Sequence, residues 1–402
     1  MSSARRPPPE ASRAGALALL ACLATGCSRG GGSGTAPPDP VPPNTGSSAS
    51  AAPSARRPST AARSGDALAI PEGALLVGSA PGDPGRDPTL EPRLQSVSLG
   101  AFRIDRLPYP NDPEKPPRTG VTREEAAELC AERGARLCTE LEWERSCKGP
   151  ENQDYAGAAA WDPRCAVTPG ECASGFDVVA LGCALREWTA SSRGPGDAAR
   201  AVARGAPTRA AAEAHRCAAR SPLAPDTKAD DLGFRCCHGA PNAAVVAEPA
   251  LGRVFSKVRV TAERLEKLLA ESPETAELAK DVKLFRDPEA ATTVVARGPG
   301  DRQGFDFTVA PLSWSPVPGA EYLLVAARSG ESTSFVVAYW ALGDDRYRLA
   351  ASFVMKNEPG PVALAYSESI RPRLHFSTCW GCPGETGKIL HRPPDRVAIV
   401  QP

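Results

Sequence analysis

The sequence predicts an α+β fold for residues 66–240 and a mostly antiparallel β domain for residues 251–402. The first region has two strand-like segments followed by two helix-start signals. Short apolar segments that recur between polar turns after residue 305 indicate the antiparallel β domain. With 402 residues, the chain is long enough for two domains with separate cores.

Charge and cysteine content narrow the functions to be considered. The chain has 47 basic and 47 acidic residues, so its net charge gives no argument for a nucleic-acid partner, and none is expected. Thirteen cysteines are more than a reducing cytosol usually accommodates, and they favour an oxidising compartment. The composition therefore favours a protein that works outside the cytoplasm.

Residues 1–27 have the features of a lipoprotein signal peptide. Basic residues precede the apolar run 14–23, which is too short to span a bilayer but suits a signal peptide. Leu23-Ala24-Thr25-Gly26-Cys27 follows and resembles a bacterial lipobox, with Cys27 as the lipidated residue. An ordinary signal peptide cleaved nearby is the alternative. A lipidated Cys27 would hold the protein on a membrane of the cell envelope, either periplasmic or surface-exposed.

Two stretches without a packing pattern set the domain boundaries. Residues 28–65 consist mainly of Gly, Ser, Ala, Pro and Arg, which leaves almost nothing to bury, so they are predicted to form a disordered tether. Residues 240–250 are alanine-rich and unpatterned, and are predicted to be a linker. The folded domains are accordingly expected at 66–240 and 251–402.

The first domain is predicted to begin with strands and a capped helix. Residues 69–79 suggest a strand with a turn, and the alternating apolar residues of 96–105 suggest another. Thr122 with Glu125 forms a capping box, which predicts the start of a helix. Gly134 fits the end of that helix.

A second helix start lies in the segment 136–144. Thr139 and Glu142 form another capping box, and Trp143 and Cys147 stand four residues apart, on one face of the helix that follows. The local pattern predicts a short helix that buries a tryptophan.

Short segments in a fixed order resemble the formylglycine-generating enzyme family, also called sulfatase-modifying factors. They are Phe102-Arg103-Ile104-Asp105-Arg106, Val121-Thr122 with Ala126 and Cys130, the segment 134–144, Arg186-Glu187-Trp188-Thr189, Arg216-Cys217-Ala218-Ala219-Arg220 and Leu232-Gly233-Phe234-Arg235-Cys236. The resemblance covers residues 68–238 and implies the family's loop-rich, C-type-lectin-like fold. The motif residues expected to have structural roles are Trp143, Glu187, Trp188, Arg220 and Arg235.

The resemblance also implies a pattern of disulfides. The family's bridges correspond to Cys130 with Cys236 and to Cys147 with Cys217. The cysteines that remain without an assigned partner are Cys138, Cys165, Cys172, Cys183 and Cys237. Because five is an odd number, at least one of them is expected to stay free or to pair outside the domain.

The residues that would carry copper chemistry in this family are replaced. The family's copper-dependent oxidases use two cysteines, which suit a soft cuprous ion. The family's spacing before Cys217 places those positions at Pro207 and Ala212, and neither side chain can bind a metal. No catalytic residue is therefore predicted.

The family's other metal sites are also incomplete. The iron-dependent branch requires a histidine cluster, whereas this domain has only His215 and His238. Gly182-Cys183-Ala184-Leu185 replaces the segment that supplies an Asn to the family's calcium site, so that only Glu187 remains there. One carboxylate does not make a calcium site, and no metal or cofactor is predicted.

The resemblance and these replacements favour an extracytoplasmic lipoprotein whose domain is a non-catalytic binding or structural module. Its partner is expected to be an envelope protein or a glycan. The alternative is an active oxidoreductase of the formylglycine-generating type with relocated ligands, for example Cys172 and Cys183. Copper, iron or calcium is expected only under that alternative.

Residues 251–402 show no resemblance to a known family. Helices are predicted at 261–270 and 273–280. Strands are predicted at 305–309, 321–327, 334–341, 347–355, 362–366, 373–377, 388–391 and 397–400, separated by polar turns. This spacing favours an antiparallel sandwich or barrel-like sheet.

Cys379-Trp380-Gly381-Cys382 is the candidate chemical motif of this second part. It could be a redox dithiol, or half of a zinc site with His375 and His391. A structural disulfide between Cys379 and Cys382 is favoured, because Pro383-Gly384 follows and a strand resumes where a redox motif would begin a helix.

Two aromatic pairs offer a further alternative. Ser313-Trp314-Ser315 and Tyr339-Trp340 could form an aromatic face that binds carbohydrate. The same residues could equally be part of the core, which is the more common role of such side chains.

Overall fold

Short antiparallel strands dominate the part of the chain that the computed structural model describes. The described residues are 65–194, 199–286, 289–297, 304–368, 372–382 and 386–401. All of them belong to one compact unit. The predicted signal peptide with Cys27, and residues 28–64 of the predicted tether, lie outside these ranges. Across the described ranges, every helix is too short or too polar to traverse a lipid bilayer.

The first part of the described chain contains ten strands and three helices. The strands are β1 (Ala67–Ile70), β2 (Gly73–Val77), β3 (Gln95–Leu99), β4 (Phe102–Asp105), β5 (Arg136–Leu137), β6 (Arg186–Arg193), β7 (Arg200–Arg204), β8 (Arg220–Leu223), β9 (Leu232–Phe234) and β10 (Cys236–His238). The helices are α1 (Arg123–Ala131), α2 (Glu140–Lys148) and α3 (Arg164–Val167), with 3-10 turns at Pro169–Glu171 and Ala212–His215.

These strands form three small sheets. One sheet has the order β1-β4-β10-β5, and a second has the order β8-β7-β6-β9, in which β6 and β9 run parallel. Within the described ranges, strands β2 and β3 pair only with each other. The fold is therefore mostly β, with few helices and many antiparallel pairs.

The strand predicted at 96–105 is in fact two strands in different sheets. Strand β3 pairs with β2, whereas β4 pairs with β1 and β10. The chain changes sheet at Gly100, whose amide donates to Oδ1 of Asn242 over 2.7 Å. A side-chain hydrogen bond thus replaces the strand ladder at the break.

Both predicted capping boxes are confirmed. The side chains of Thr122 and Thr139 accept hydrogen bonds from the amides of Glu125 and Glu142, and each glutamate accepts from the capping amide in return. Trp143 is completely buried. The helix that these signals start is therefore an anchored core element, as predicted.

The second part contains eleven strands and two helices within the described ranges. The strands are β11 (Phe255–Lys257), β12 (Val282–Leu284), β13 (Asp306–Thr308), β14 (Leu312–Trp314), β15 (Tyr322–Ser329), β16 (Thr333–Gly343), β17 (Arg346–Lys356), β18 (Ala363–Ser367), β19 (Arg373–Ser377), β20 (Thr386–Arg392) and β21 (Arg396–Val400). The helices are α4 (Ala262–Ala270) and α5 (Glu289–Arg297).

The eight predicted strands are confirmed as β13 and β15 to β21, with ends within two residues of those predicted. The helix predicted at 261–270 is confirmed as α4. The helix predicted at 273–280 is wrong, because only a 3-10 turn forms at Ala276–Ala279. Three short strands, β11, β12 and β14, and the helix α5 were not predicted.

The two sheets of this part face each other across a common core. One has the order β11-β14-β15-β16-β17, with β12 also on β15, and the other has the order β13-β18-β19-β20-β21. Leu324 and Val336 from the first sheet meet Leu364, Phe376 and Ile389 from the second. The predicted sandwich is therefore present.

Helix α4 covers the outer face of the first sheet. Side chains alternate along a strand, so that Leu324 of β15 points into the sandwich whereas Leu323 and Val325 pack with Leu268 of α4. Both faces of β15 are thus buried, which explains its continuous apolar sequence.

The aromatic pairs of this part contribute side chains to the core. Trp314 packs between the two sheets, and Tyr339 packs on the opposite face of the first sheet, under α4. Both are buried, with 4% and 1% of their surface exposed. Trp314 and Tyr339 therefore have the core role that the sequence left open, on opposite faces of the sheet. Trp340 is partly buried and packs on the same side as Trp314.

Residues 79–93, here called the connecting segment, lie between β2 and β3 and join the two parts of the molecule. The completely buried Arg86 forms an ion pair of 2.8 Å with Asp395, in the turn between β20 and β21. Oδ1 of Asp395 also accepts a hydrogen bond of 2.6 Å from the hydroxyl of Tyr322. This contact fixes the connecting segment to the sandwich.

The same segment is fixed to the first part by Glu91. Its two carboxylate oxygens accept hydrogen bonds of 2.7 and 2.8 Å from Arg216, and a third of 2.6 Å comes from the hydroxyl of Ser79. Burial alone raises the pKa of Glu91, but the hydrogen bonds and charge of Arg216 outweigh burial and lower it. The carboxylate is therefore held in its ionised form.

The predicted linker 240–250 has no regular secondary structure, but its side chains are bound. Asn242 donates to Oε1 of Glu142 over 3.0 Å, and Glu248 forms an ion pair of 2.9 Å with Arg220. These residues therefore lie against the first part of the molecule rather than free of it.

Candidate functional site

Three of the family-motif residues form one buried cluster. Glu187 on β6 accepts a hydrogen bond of 2.8 Å from Nε1 of Trp143 and two of 2.7 Å from Arg235. All three side chains are at most 1% exposed. Arg235 also donates to the carbonyl oxygens of Asp105 and Val179. The cluster joins α2 to two strands, which is a structural role.

The other two motif residues are also engaged inside the protein. Arg220 donates to Glu140 over 2.6 and 2.9 Å and forms the ion pair with Glu248. Burial alone lowers the pKa of Arg220, but the two carboxylates outweigh it and raise the pKa. Nε1 of Trp188 donates to the carbonyl oxygen of Val121 over 3.0 Å.

Disulfides account for most of the cysteines in the described ranges. The structure joins Cys130 to Cys236 and Cys147 to Cys217, the pairs that the resemblance implies. It also contains three other disulfides, Cys138–Cys237, Cys165–Cys172 and Cys379–Cys382. Two of these settle pairings that the sequence left open.

Cys183 is the one free cysteine among the described residues. It is 2% exposed, and burial raises the pKa of its thiol to about 12. A thiol of this kind is a poor nucleophile and a poor metal ligand, because both roles require the thiolate. Cys172, its suggested partner in a relocated catalytic pair, is instead bonded to Cys165.

The two family positions for copper ligands lie in the stretch that leads to Cys217. Pro207 stands in the loop after β7, and Ala212 begins the 3-10 turn Ala212–His215. Neither can coordinate copper. The residues present therefore do not fit a copper site of the family type.

His215, at the end of this turn, has both ring nitrogens directed at the backbone. Nδ1 lies 2.8 Å from the carbonyl oxygen of Gly182, and Nε2 lies 3.3 Å from that of Ala210. The ring stacks on Trp161 with a centroid distance of 3.9 Å and an interplanar angle of 2°. His238 instead bonds Asp105, with Nε2 3.1 Å from its carboxylate.

The side chains of Glu187, His215 and His238, considered as metal ligands, already bind other groups of the protein. Both carboxylate oxygens of Glu187 are occupied by Arg235, so the residue does not fit a calcium site. Over the described ranges, no three His, Cys, Asp or Glu side chains lie together in an arrangement suited to a metal ion.

The histidines suggested for a zinc site with Cys379 and Cys382 do not converge. His375 is the cross-strand neighbour of Lys388, so the two share a face of the sheet. His391 lies three residues beyond Lys388 on β20 and therefore points to the opposite face. His375 contacts the ring of Trp380, and the two cysteines form a disulfide.

A cavity that sequence reasoning missed lies in the second part of the molecule. It has a volume of about 1000 Å³, and its lining includes Lys283, Arg286 and Arg328. Lys283 and Arg286 are three residues apart, whereas Arg328 is distant in the sequence and is brought to them by the unpredicted pairing of β12 with β15. No local sequence signal marks them.

Several solved structures are similar to part of the chain. Variable protein 1 of Treponema denticola is 13% identical, covers 43% of this chain and 94% of its own, and has a TM-score of 0.35. PvdO from Pseudomonas aeruginosa is 17% identical, covers 46% and 99%, and has a TM-score of 0.35. CarF is 14% identical, covers 44% and 98%, and has a TM-score of 0.34.

A comparison of the sequence with curated proteins finds no match. A family model does match: residues 103–240 correspond to the sulfatase-modifying factor enzyme 1-like domain. This range contains the motif segments from Arg103 to Cys236 on which the resemblance rests. Residues 103–240 are therefore similar to the sulfatase-modifying factor enzyme 1-like domain, in agreement with the resemblance that the sequence motifs carry.

Proposed function

We propose that this protein is a lipid-anchored protein of the bacterial cell envelope, and that its sulfatase-modifying-factor-like domain is a non-catalytic binding or structural module. One observation carries the proposal. The two positions that would hold the family's catalytic cysteines are Pro207 and Ala212. We assign the domain the family's α+β, C-type-lectin-like arrangement as part of the same proposal.

The bonding and burial of the cysteines support the proposal that no copper site has moved to other cysteines of the chain. A relocated copper site would need two thiolates. Cys183 is a buried thiol with a pKa of about 12, and the other described cysteines are in disulfides. Five disulfides also agree with an oxidising compartment.

The motif residues support a structural role for the domain. Glu187, Arg235 and Arg220 use their charged groups to bind one another, neighbouring carboxylates or backbone carbonyls in the interior. Such a scaffold can hold a binding surface in place. The partner that binds this surface would be an envelope protein or a glycan.

Whether the domain is catalytic is tested by measuring product formation. The mature protein is incubated with a sulfatase-type cysteine peptide and oxygen, once with copper and once with ferrous iron, beside an active family member as positive control. We expect no formylglycine and no sulfoxide by mass spectrometry. Product formation that is lost in Cys183→Ser would overturn the non-catalytic assignment in favour of relocated ligands.

The anchor is tested separately. Cells that express the full chain or its Cys27→Ser variant are labelled with a palmitate analogue and fractionated. We expect label and membrane recovery only for the parent chain. Equal membrane recovery of both, without label, would show that Cys27 is not the anchor.

A further inference from the structure

The cavity of about 1000 Å³ in the second part is a cleft built from four elements. Its lining comes from strand β12 and the residues that follow it, the first turn of α4, the helix α5, Arg328 on β15, and the loop 359–361 between β17 and β18. This volume is at the upper end of the range found for ligand sites. The cleft is separate from the motif residues of the first part.

Charge in this cleft is of one sign. The charged side chains of its lining are Lys283, Arg286 and Arg328, and no carboxylate lines it among the described residues. Lys283 is paired with Asp281 and Glu331 over 3.1 and 2.9 Å.

The two arginines have no such partners. Within the described ranges neither Arg286 nor Arg328 forms an ion pair, and Nε of Arg328 is buried without a hydrogen-bond partner. Guanidinium groups bind carboxylates through paired hydrogen bonds. The charge of Arg328 is partly offset by Glu331, the carboxylate that Lys283 binds. An acidic ligand would therefore meet Arg286 without an ion-pair partner and Arg328 with only this partial compensation.

Part of the cleft lining is apolar and is here called the apolar wall. It contains Phe285, Pro359 and Pro361. Gly360 has a φ of 83°, and a Cβ on it would lie 2.5 Å from the ring of Phe285, so only glycine allows the loop to approach this closely. The loop 359–361 is therefore packed closely against the ring of Phe285.

Strand β12 presents a free edge in the same cleft. Val282–Leu284 pairs antiparallel with β15 on one side, and no other strand of the described chain pairs with it. All three of its residues line the cleft. An exposed strand edge offers backbone donors and acceptors to an extended peptide.

We propose that this cleft binds an acidic, partly apolar peptide segment of a partner protein in extended conformation, paired along the edge of β12. The guanidinium groups of Arg286 and Arg328 bind the carboxylates of the peptide. The apolar wall of Phe285, Pro359 and Pro361 contacts its apolar side chains. This deepens the proposed binding function by naming a site and a partner chemistry.

The chain's own tether is not the occupant. Residues 28–64 contain one acidic residue, Asp39, against four arginines, Arg29, Arg56, Arg57 and Arg63. Its charge is therefore opposite to the one that the cleft attracts, and the partner must be another molecule.

The test uses the mature protein and a fluorescein-labelled octapeptide of alternating Glu and Val, measured by fluorescence anisotropy. We expect saturable binding that weakens with added salt. Arg286→Glu should weaken it by about tenfold or more, since an attraction becomes a repulsion. Arg346→Glu on β17, an exposed charge reversal outside the cleft, is the matched control and should change nothing.

Two further probes separate the possible explanations. A peptide of alternating Lys and Val should not bind. A Glu-Val peptide with N-methylated alternate amides keeps its charge but cannot pair with a strand edge, and it should bind more weakly.

Failure to bind the Glu-Val peptide, or equal effects of Arg286→Glu and Arg346→Glu, would overturn the proposal. Equal binding of the N-methylated peptide, together with displacement by inorganic phosphate, would show an anion site only. None of these results depends on turnover, so the non-catalytic assignment stands or falls separately.

Discussion

Arg235 is 1% exposed, and the carboxylate that balances its charge belongs to Glu187, 48 residues earlier in the chain. Both residues lie in the family motifs, so their structural importance could be predicted from sequence. Their pairing could not, because neither periodicity nor charge pattern relates Glu187 on β6 to Arg235 between β9 and β10. The same limit applies to Glu91 and Arg216, which lie 125 residues apart and belong to no predicted site.

Replacement of Arg235 should show how strongly the buried carboxylate of Glu187 destabilises the fold when its positive partner is removed. Arg235→Met leaves the carboxyl group of Glu187 buried without its counter-charge, with Trp143 as its remaining side-chain donor, and should lower the free energy of unfolding by about 3–5 kcal/mol. Urea unfolding followed by circular dichroism measures this loss. Arg200→Met, at an exposed position on β7, should change the value by at most about 0.5 kcal/mol. A loss below about 1 kcal/mol for Arg235→Met would contradict the structural role.

Acid should weaken the contact between Glu91 and Arg216. The folded protein holds the pKa of Glu91 below its ordinary value of 4.5, so the unfolded chain takes up the proton first as the pH falls. The stability from this pair is therefore present above about pH 4.5 and is lost as the pH falls through the folded-state pKa.

Arg216→Met should reveal this dependence. The difference in unfolding free energy between parent and variant should shrink as the pH is lowered from about 6 towards 3. Urea titrations at a series of pH values measure it. For Arg346→Met, whose arginine is exposed, the difference should stay constant, and a constant difference for Arg216→Met would refute the assignment.

Helices and strands with strong local signals could be predicted, and those without could not. The two capping boxes and the eight strands after residue 305 have such signals. Strands β11, β12 and β14 have three residues each, too few to show alternation by themselves. Strand β13 is equally short, but it was predicted within the longer segment 305–309. The break between β3 and β4 depends on Asn242, a residue far outside the segment.

The start of α2 should depend measurably on its cap. Thr139→Ala removes the acceptor for the Glu142 amide and should lower the free energy of unfolding by about 1 kcal/mol. Thermal or urea unfolding measures the change. Thr139→Ser keeps the hydroxyl and should retain most of the stability. Equal losses for both substitutions would indicate that the methyl group, rather than the cap, matters.

The predicted boundary between 66–240 and 251–402 gave no hint that one segment serves both parts. The connecting segment reaches the sandwich through Arg86 and Asp395, which are 309 residues apart. Local patterns carry no information about such a pair. The candidate cleft has the same origin, because Lys283 and Arg328 become neighbours only when β12 pairs with β15.

Loss of Asp395 should uncouple the two parts. Asp395→Ala leaves the guanidinium of Arg86 buried without its carboxylate, and it should cost about 3–5 kcal/mol. Calorimetry should show one transition for the parent and two for the variant. Glu321→Gln breaks the more exposed pair with Arg93 and should cost at most about 1 kcal/mol, with a single transition. A single, unshifted transition for Asp395→Ala would show that the ion pair does not couple the parts.

The sequence separation of these contacts also sets an order of assembly as the chain emerges, N-terminus first, where it folds. Glu91 meets Arg216 after 125 further residues, whereas Arg86 meets Asp395 only after 309. For the exported protein proposed above, Arg86 therefore enters the folding compartment 309 residues ahead of its counter-charge. The connecting segment can therefore dock on the first part early, and the last strands of the sandwich close onto a surface that is already in place.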